Sequence, residues 1–299
     1  MQPRGAAKAP PPGGGPRAAV LDEAARADGT GERVSFARAR VIVVANQKGG
    51  VGKTTTAVSL AAALAAAGCR VLLVDLDPQG NASSALGLRP LPGQSTIYDV
   101  LVNGLTMEAA LVDAGIPQLA VVPATLDLAG AEIELVSAFS REQQLRRALE
   151  PVRERFDVVL VDCPPSLGLL TLNALSAADG VVVPVQAEYF ALEGLGALHR
   201  NVELIKAQLN PDLRITGFVM TMLDARTRLT EQVVDEVHRH YGELVFSARI
   251  PRSIRLAEAP GFGQPITVFD AASRGALAYH RLARELLARL VTQDEGVHA

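Results

Sequence analysis

The chain is predicted to form a doubly wound α/β domain, a mostly parallel sheet with helices on both faces. Three observations predict it. Short apolar runs rich in Val, Ile and Leu recur along the chain. These runs are continuously apolar instead of alternating with polar residues, as expected of strands covered on both faces. Longer stretches of helical period separate them, and strand–helix alternation of this kind builds a doubly wound sheet.

The predicted strands are VIVVA (41–45), VLLVD (71–75), LAVVP (119–123), VVLVD (158–162), VVVPV (181–185) and ITGFVMT (215–221). Helical periodicity fits 54–67, 141–154, 191–208, 229–241 and 274–291. Residues 38–293 are read as one domain with no second boundary. Residues 1–37 (APPPGGGPRAA, then ADGTGER) are low in complexity and too poor in large apolar side chains to offset ordering entropy. They are expected to be a disordered tail. Its one helical stretch, Ala18–Ala27, is too short to be stable alone. Residues 294–299 form a short C-terminal tail.

Composition narrows the function classes. A net charge of −3 excludes a strongly basic nucleic-acid binder, though not a local basic patch. Cys69 and Cys163 stand far apart, so neither a disulfide framework nor a zinc cluster is expected. Aromatics are only 4% of the chain, and the small Ala/Val/Leu-rich interior this implies suits helices packed closely on a sheet. No signal-peptide core is found, and the apolar stretch from Ala57 to Cys69 is too short to cross a bilayer. The expected location is cytoplasmic.

The segment Gln47-Lys48-Gly49-Gly50-Val51-Gly52-Lys53-Thr54-Thr55 follows the first predicted strand and opens a helix, the context a phosphate loop requires. Glycines allow successive N–H groups to turn inward around phosphate oxygens, and the helix N-terminus adds its positive dipole end. Lys53 is the candidate for the β/γ-phosphates and Thr54 for Mg²⁺. Gln47 stands where the general pattern G-x-x-x-x-G-K-[ST] has its first glycine, and Lys48 adds a second lysine inside the loop.

KGGVGKTT resembles the deviant Walker A box of the ParA/MinD family of ATPases. The resemblance implies that ATP and Mg²⁺ bind here, with Lys48, Gly49, Gly50, Val51, Gly52, Lys53, Thr54 and Thr55 around the nucleotide. It further implies an ATP-dependent homodimer in which Lys48 reaches the partner's nucleotide. Physically that is the job of an arginine finger, a cation placed where charge develops in phosphoryl transfer.

Three carboxylates end predicted strands, where ligands of such sheets sit. Asp162 looks like the Walker B acid, holding Mg²⁺ directly or through water. Asp77 matches the family aspartate that orients the attacking water, with an Asx turn before Pro78 as the alternative. Asp75 is open between bonding the backbone near the loop and supporting the metal shell.

Beyond the loop, VPVQAEYFALEGL (183–195), TMLDART (221–227) and IPRSIRLAEAPGFGQPI (250–266) resemble the chromosome-partitioning branch in order and spacing. The likeness runs from about Arg40 to Val291. It implies that Met222 and Asp224 lie near the base and that Pro251 packs on adenine. It also implies nonspecific DNA binding, release through a ParB-type partner that stimulates slow hydrolysis, and association with the nucleoid. Between Arg200 and Arg255 there are nine Lys/Arg and seven Asp/Glu, too small a bias to mark a DNA face by itself. The candidates are Arg226 and Arg228, with no acid between them, and Arg249, Arg252 and Arg255.

Three other readings share the loop. A MinD-like membrane switch needs a free basic amphipathic C-terminal helix. Here Leu282, Leu286, Leu287 and Leu290 fit a helix docked on the body, and no membrane partner is expected. An iron–sulfur carrier needs a cysteine partner for Cys163 at suitable spacing, and none exists. A nucleotide-regulated scaffold with negligible turnover would have no use for Asp77 and Lys48 together.

Overall fold

The structure is a computed structural model that describes residues 36–295 apart from Tyr189, Phe190 and Ala225. Nearly all of the tail expected at 1–37, with its helical stretch at 18–27, lies outside these residues, as do positions 296–299. Phe36 is buried, with the Arg40 guanidinium 5.8 Å from its ring centre, so packing begins slightly before residue 38.

Eight strands form one sheet: β1 (Arg40–Val44), β2 (Val71–Asp75), β3 (Val112–Ile116), β4 (Leu119–Val122), β5 (Val158–Asp162), β6 (Gly180–Gln186), β7 (Arg214–Leu223) and β8 (Val245–Pro251). Their order is β3-β4-β2-β5-β1-β6-β7-β8. Every neighbouring pair is parallel except the β3–β4 hairpin. The central strands β1, β2 and β5 are apolar because each feeds two cores. Val41, Val43, Leu72, Val74, Val159 and Val161 face one cluster; Ile42, Val44, Val71, Leu73, Val158 and Leu160 face the other.

Helices α1 (Lys53–Ala66) and α5 (Arg274–Glu295) cover one face. Helices α2 (Leu169–Ala177), α3 (Ala191–Gln208) and α4 (Arg228–Tyr241) cover the other. Helix α1 is alanine-rich and buried almost all round, and the small side chains permit close approach to the sheet. The Thr56 hydroxyl meets the Tyr279 hydroxyl of α5 at 3.2 Å, which satisfies both buried groups. Leu282, Leu286, Leu287 and Leu290 of α5 are buried on the body, as expected. Among the described residues, no helix is long and apolar enough to cross a membrane.

Several expectations need correction. The helix predicted over 141–154 is a short α-helix, Gln144–Leu149, between 3₁₀ turns Arg141–Gln143 and Glu150–Val152. Pro151 has no N–H to continue it. Helix α2 (LLTLNALSA) escaped notice because it is apolar on nearly every side and shows no amphipathic period. Strands β3 and β8 also escaped, since both are edge strands that expose alternate residues.

Both sheet edges are interrupted. The β3–β4 pairing shifts register between Asp113 and Ile116. At β8, Glu285 of α5 accepts the Ser247 N–H at 2.7 Å. Arg289 donates to the carbonyls of Thr216 (2.7 Å), Glu243 (2.7 Å), Leu244 (3.1 Å) and Val245 (3.2 Å), with its guanidinium 4.0 Å from the Phe246 ring centre. Gly217 makes room for this clamp. A Cβ there would lie 2.4 Å from the Arg289 Nη1, 2.5 Å from Phe246 and 2.8 Å from the Leu244 carbonyl. Gly217→Ala is therefore expected to destabilise the domain by about 2 kcal/mol, as overpacked core sites do. Thermal unfolding should show a midpoint lower by roughly 5 °C; an unmoved midpoint would mean that Arg289 yields without cost.

Candidate nucleotide-binding site

The site lies at the carboxyl ends of β1, β2, β5, β7 and β8. Register brings these ends level: Val44 pairs with Asp162 across β1–β5, Asp75 with Asp162 across β2–β5, and Leu223 with Pro251 across β7–β8. The loop 45–52 leaves β1 and turns into α1.

Gly50 (φ 75°) and Gly52 (φ 89°) adopt left-handed backbone, which a side chain would strain. Gly52 is the N-cap of α1 and provides no side-chain cap, and the first turn carries no acid. The first N–H groups of α1 are thus left to bind an anion. A Cβ at Gly49 or Gly50 would meet nothing within 4 Å, so the loop mouth is open. The loop is braced from outside: Thr221 of β7 donates to the Val51 carbonyl at 2.8 Å, and the Met222 side chain packs on Gly52. Met222 itself has φ 54°.

The two lysines face different ways. Lys53 is 7% exposed and donates to the Lys48 carbonyl at 3.0 Å. Burial lowers its pKa, while the neighbouring Asp162 and Asp77 act in the opposite sense. The Lys48 side chain is 43% exposed and its ammonium pairs with the Glu188 carboxylate. Asn46, which sequence reading left unassigned, accepts the Lys48 N–H at 3.0 Å and donates to the Pro184 carbonyl at 2.8 Å. Its place directly before Gln47 is the available signal.

The acids divide by role. Asp162 is fully buried and neither carboxylate oxygen has a hydrogen-bond partner among the described residues, although the Thr54 hydroxyl faces it closely enough to oppose the rise in its pKa. Burial foremost, then the adjacent Asp75, pushes this carboxyl well above the usual range. A buried acid with both oxygens unbonded beside a threonine hydroxyl fits a divalent cation. Among the described residues no group of three or more His, Cys, Asp or Glu is set to hold a metal. Mg²⁺ takes one or two protein ligands and completes its shell with water and phosphate, so Asp162 and Thr54 would suffice for it.

Asp75 is saturated instead. It accepts from Ser83 N (2.8 Å), Ser83 Oγ (2.7 Å) and Asp77 N (3.2 Å), and burial holds its pKa up at about 6. Ser83 Oγ in turn accepts from Ala124 N at 3.1 Å. Asp75 thus anchors the turn that carries Asp77. Asp77 is 8% exposed, and its Oδ1 accepts the Gln79 N–H at 2.9 Å, the Asx turn weighed above. Its field still reaches Lys53 and Asp162.

Met222, Asp224 and Pro251 come together at the ends of β7 and β8, where the Arg252 N–H donates to the Leu223 carbonyl at 3.0 Å. Asp224 is gripped by Arg226 through Nε (2.9 Å) and Nη2 (2.7 Å), and these bonds hold its carboxyl well below the usual range. Two of the five DNA-candidate arginines are therefore engaged within the chain: Arg226 by Asp224, and Arg255 by Glu258 (3.3 Å), Asp270 (3.5 Å) and the Phe269 ring. All five are exposed.

This arrangement has known counterparts. A family profile described as an AAA domain matches residues 39–215. The chain is 50% identical over 269 residues to the chromosome partitioning protein ParA of Myxococcus xanthus, covering 90% of this chain and 95% of that one. It is 53% identical over 249 residues to the sporulation initiation inhibitor protein Soj of Bacillus subtilis, covering 83% and 98%. Among solved structures, a Mycobacterium smegmatis protein described as cobyrinic acid a,c-diamide synthase, with bound ADP and magnesium, superimposes with a TM-score of 0.74 at 42% identity, covering 85% and 96%. With at least half of the aligned residues identical to these ParA and Soj proteins along nearly their whole length, the chain belongs to the ParA/Soj family of chromosome-partitioning ATPases.

Proposed function

We propose that the chain is an ATP-switched DNA-partitioning enzyme that works as a nucleotide-sandwich dimer. The observation that carries this reading is the opposed pair of lysines on one loop. Lys53 points into its own phosphate cradle, whereas Lys48 is fixed by its main chain and presents its ammonium outward. A single nucleotide needs the first; the second has work only on a nucleotide held by another chain.

The residues act as follows. The N–H groups of residues 49–55 hold the phosphates, and Lys53 neutralises the β/γ oxygens in a dry setting where charge counts most. Thr54 and Asp162 would hold Mg²⁺, which would supply positive charge to offset that of the phosphates. Asp77 orients the attacking water and accepts its proton. The partner's Lys48 meets the charge that develops on the transferred group. Met222, Asp224 and Pro251 form the base pocket.

DNA would be held nonspecifically by exposed arginines among Arg226, Arg228, Arg249, Arg252 and Arg255, of which Arg226 and Arg255 must also leave acids of their own chain. Dimerisation doubles the phosphates contacted and so steepens salt dependence. A ParB-type partner would speed the slow hydrolysis, the dimer would part, and the chain would leave the nucleoid. The test is binding to random-sequence duplex DNA with ATP, with ADP and without nucleotide, over a salt series. Binding with ATP alone, weakening steeply with salt, is expected. Equal weak binding in all three states would remove the DNA function.

A further inference from the structure

We propose that Glu188 is a positioning residue that holds Lys48 in reserve within the single chain and so sets the threshold for dimerisation. This rests on the sandwich reading above and adds a regulator to the same site.

The main chain of Lys48 is fixed on both sides. Its N–H is accepted by Asn46 Oδ1 at 3.0 Å, and its carbonyl accepts the Lys53 amine at 3.0 Å. Asn46 is tied in turn to the Pro184 carbonyl of β6 at 2.8 Å. Glu188 lies two residues beyond the end of β6, and its N–H donates to the Gln186 carbonyl at 2.8 Å, a tight turn that keeps it beside the loop. The same strand end therefore frames the lysine's backbone and supplies the carboxylate that meets its tip.

Only the outer part of Lys48 is left to move. Its side chain is 43% exposed and that of Glu188 46%, so the pair is accessible and reversible. An ammonium that reaches a second chain's phosphates must leave this carboxylate, and a sandwich breaks two such pairs. A half-exposed ion pair is worth a small factor, about 3-fold per chain and roughly 10-fold for a dimer. That is small enough to be overcome by a triphosphate in the partner and large enough to discourage association without one.

The experiment uses the full chain with Mg²⁺ and the slowly hydrolysed analogue AMPPNP. The dimer dissociation constant is measured by sedimentation equilibrium for wild type, Glu188→Gln and Glu188→Asp at low and high salt. Glu188→Gln is expected to tighten the dimer roughly 10-fold at low salt, and the difference should shrink as salt screens the pair. Glu188→Asp should return toward wild type, and the affinity of the single chain for nucleotide should not move, which a merely structural role would not predict. A wild type that dimerises while Glu188→Gln dimerises equally or less well overturns this proposal alone. If neither chain dimerises with nucleotide, the sandwich reading falls and takes this proposal with it.

Discussion

Lys53→Ala is expected to raise the ATP dissociation constant by about 100- to 1000-fold, the loss typical when one partner of a buried charged contact is truncated. The reason is location. Lys53 begins α1 and is buried against the loop, and its amine is the cation that the cradle encloses. Water has poor access to replace it. Lys48→Ala should behave differently, binding ATP with little change while losing ATP-dependent dimerisation, because its tip points out of the cradle. Calorimetric titration with ATP and light scattering separate the two effects. Near-equal ATP affinity for Lys53→Ala and wild type would count against the loop assignment itself.

Asp77→Asn should lower partner-stimulated ATP turnover by about 100- to 10 000-fold, the range for losing a positioned general base. Asparagine is the informative substitution. Its side-chain oxygen can still accept the Gln79 N–H, so the turn after β2 survives and only the proton-accepting capacity goes. Asp77→Ala removes both, and should add a modest drop in thermal midpoint to the same loss of turnover. ATP binding should survive in each. If Asp77→Asn turns over at the wild-type rate, the carboxylate is a turn former and the water must be activated elsewhere.

Legibility followed how locally each feature is encoded. The phosphate loop is contiguous, so its candidate residues stand side by side in the sequence. β1, β2, β5 and β6 were legible because burial on both faces leaves an unbroken apolar run, whereas β3 and β8 carry Asp113 and Arg249 on exposed sides. The period over 141–154 was real, but one proline divides the segment. Asp75 could not be assigned because its partner Ser83 lies beyond the turn, and the Lys48–Glu188 pair spans 140 residues. The engagement of Arg226 and Arg255 was closer to hand, with acids two and three positions away at Asp224 and Glu258.

The interrupted edges of the sheet have a consequence for how copies can meet. An edge strand with free N–H and C=O groups is a template for strand addition and leads toward open-ended aggregation. Here the register shift of β3 breaks the template on one side, while Glu285 and Arg289 occupy backbone groups of β8 and its approach on the other. Sideways growth of the sheet is hindered at both margins. On the sandwich reading proposed above, association would use the strand-end face instead, where a bound ligand would decide whether two chains fit, and assembly would be finite and switchable instead of cumulative.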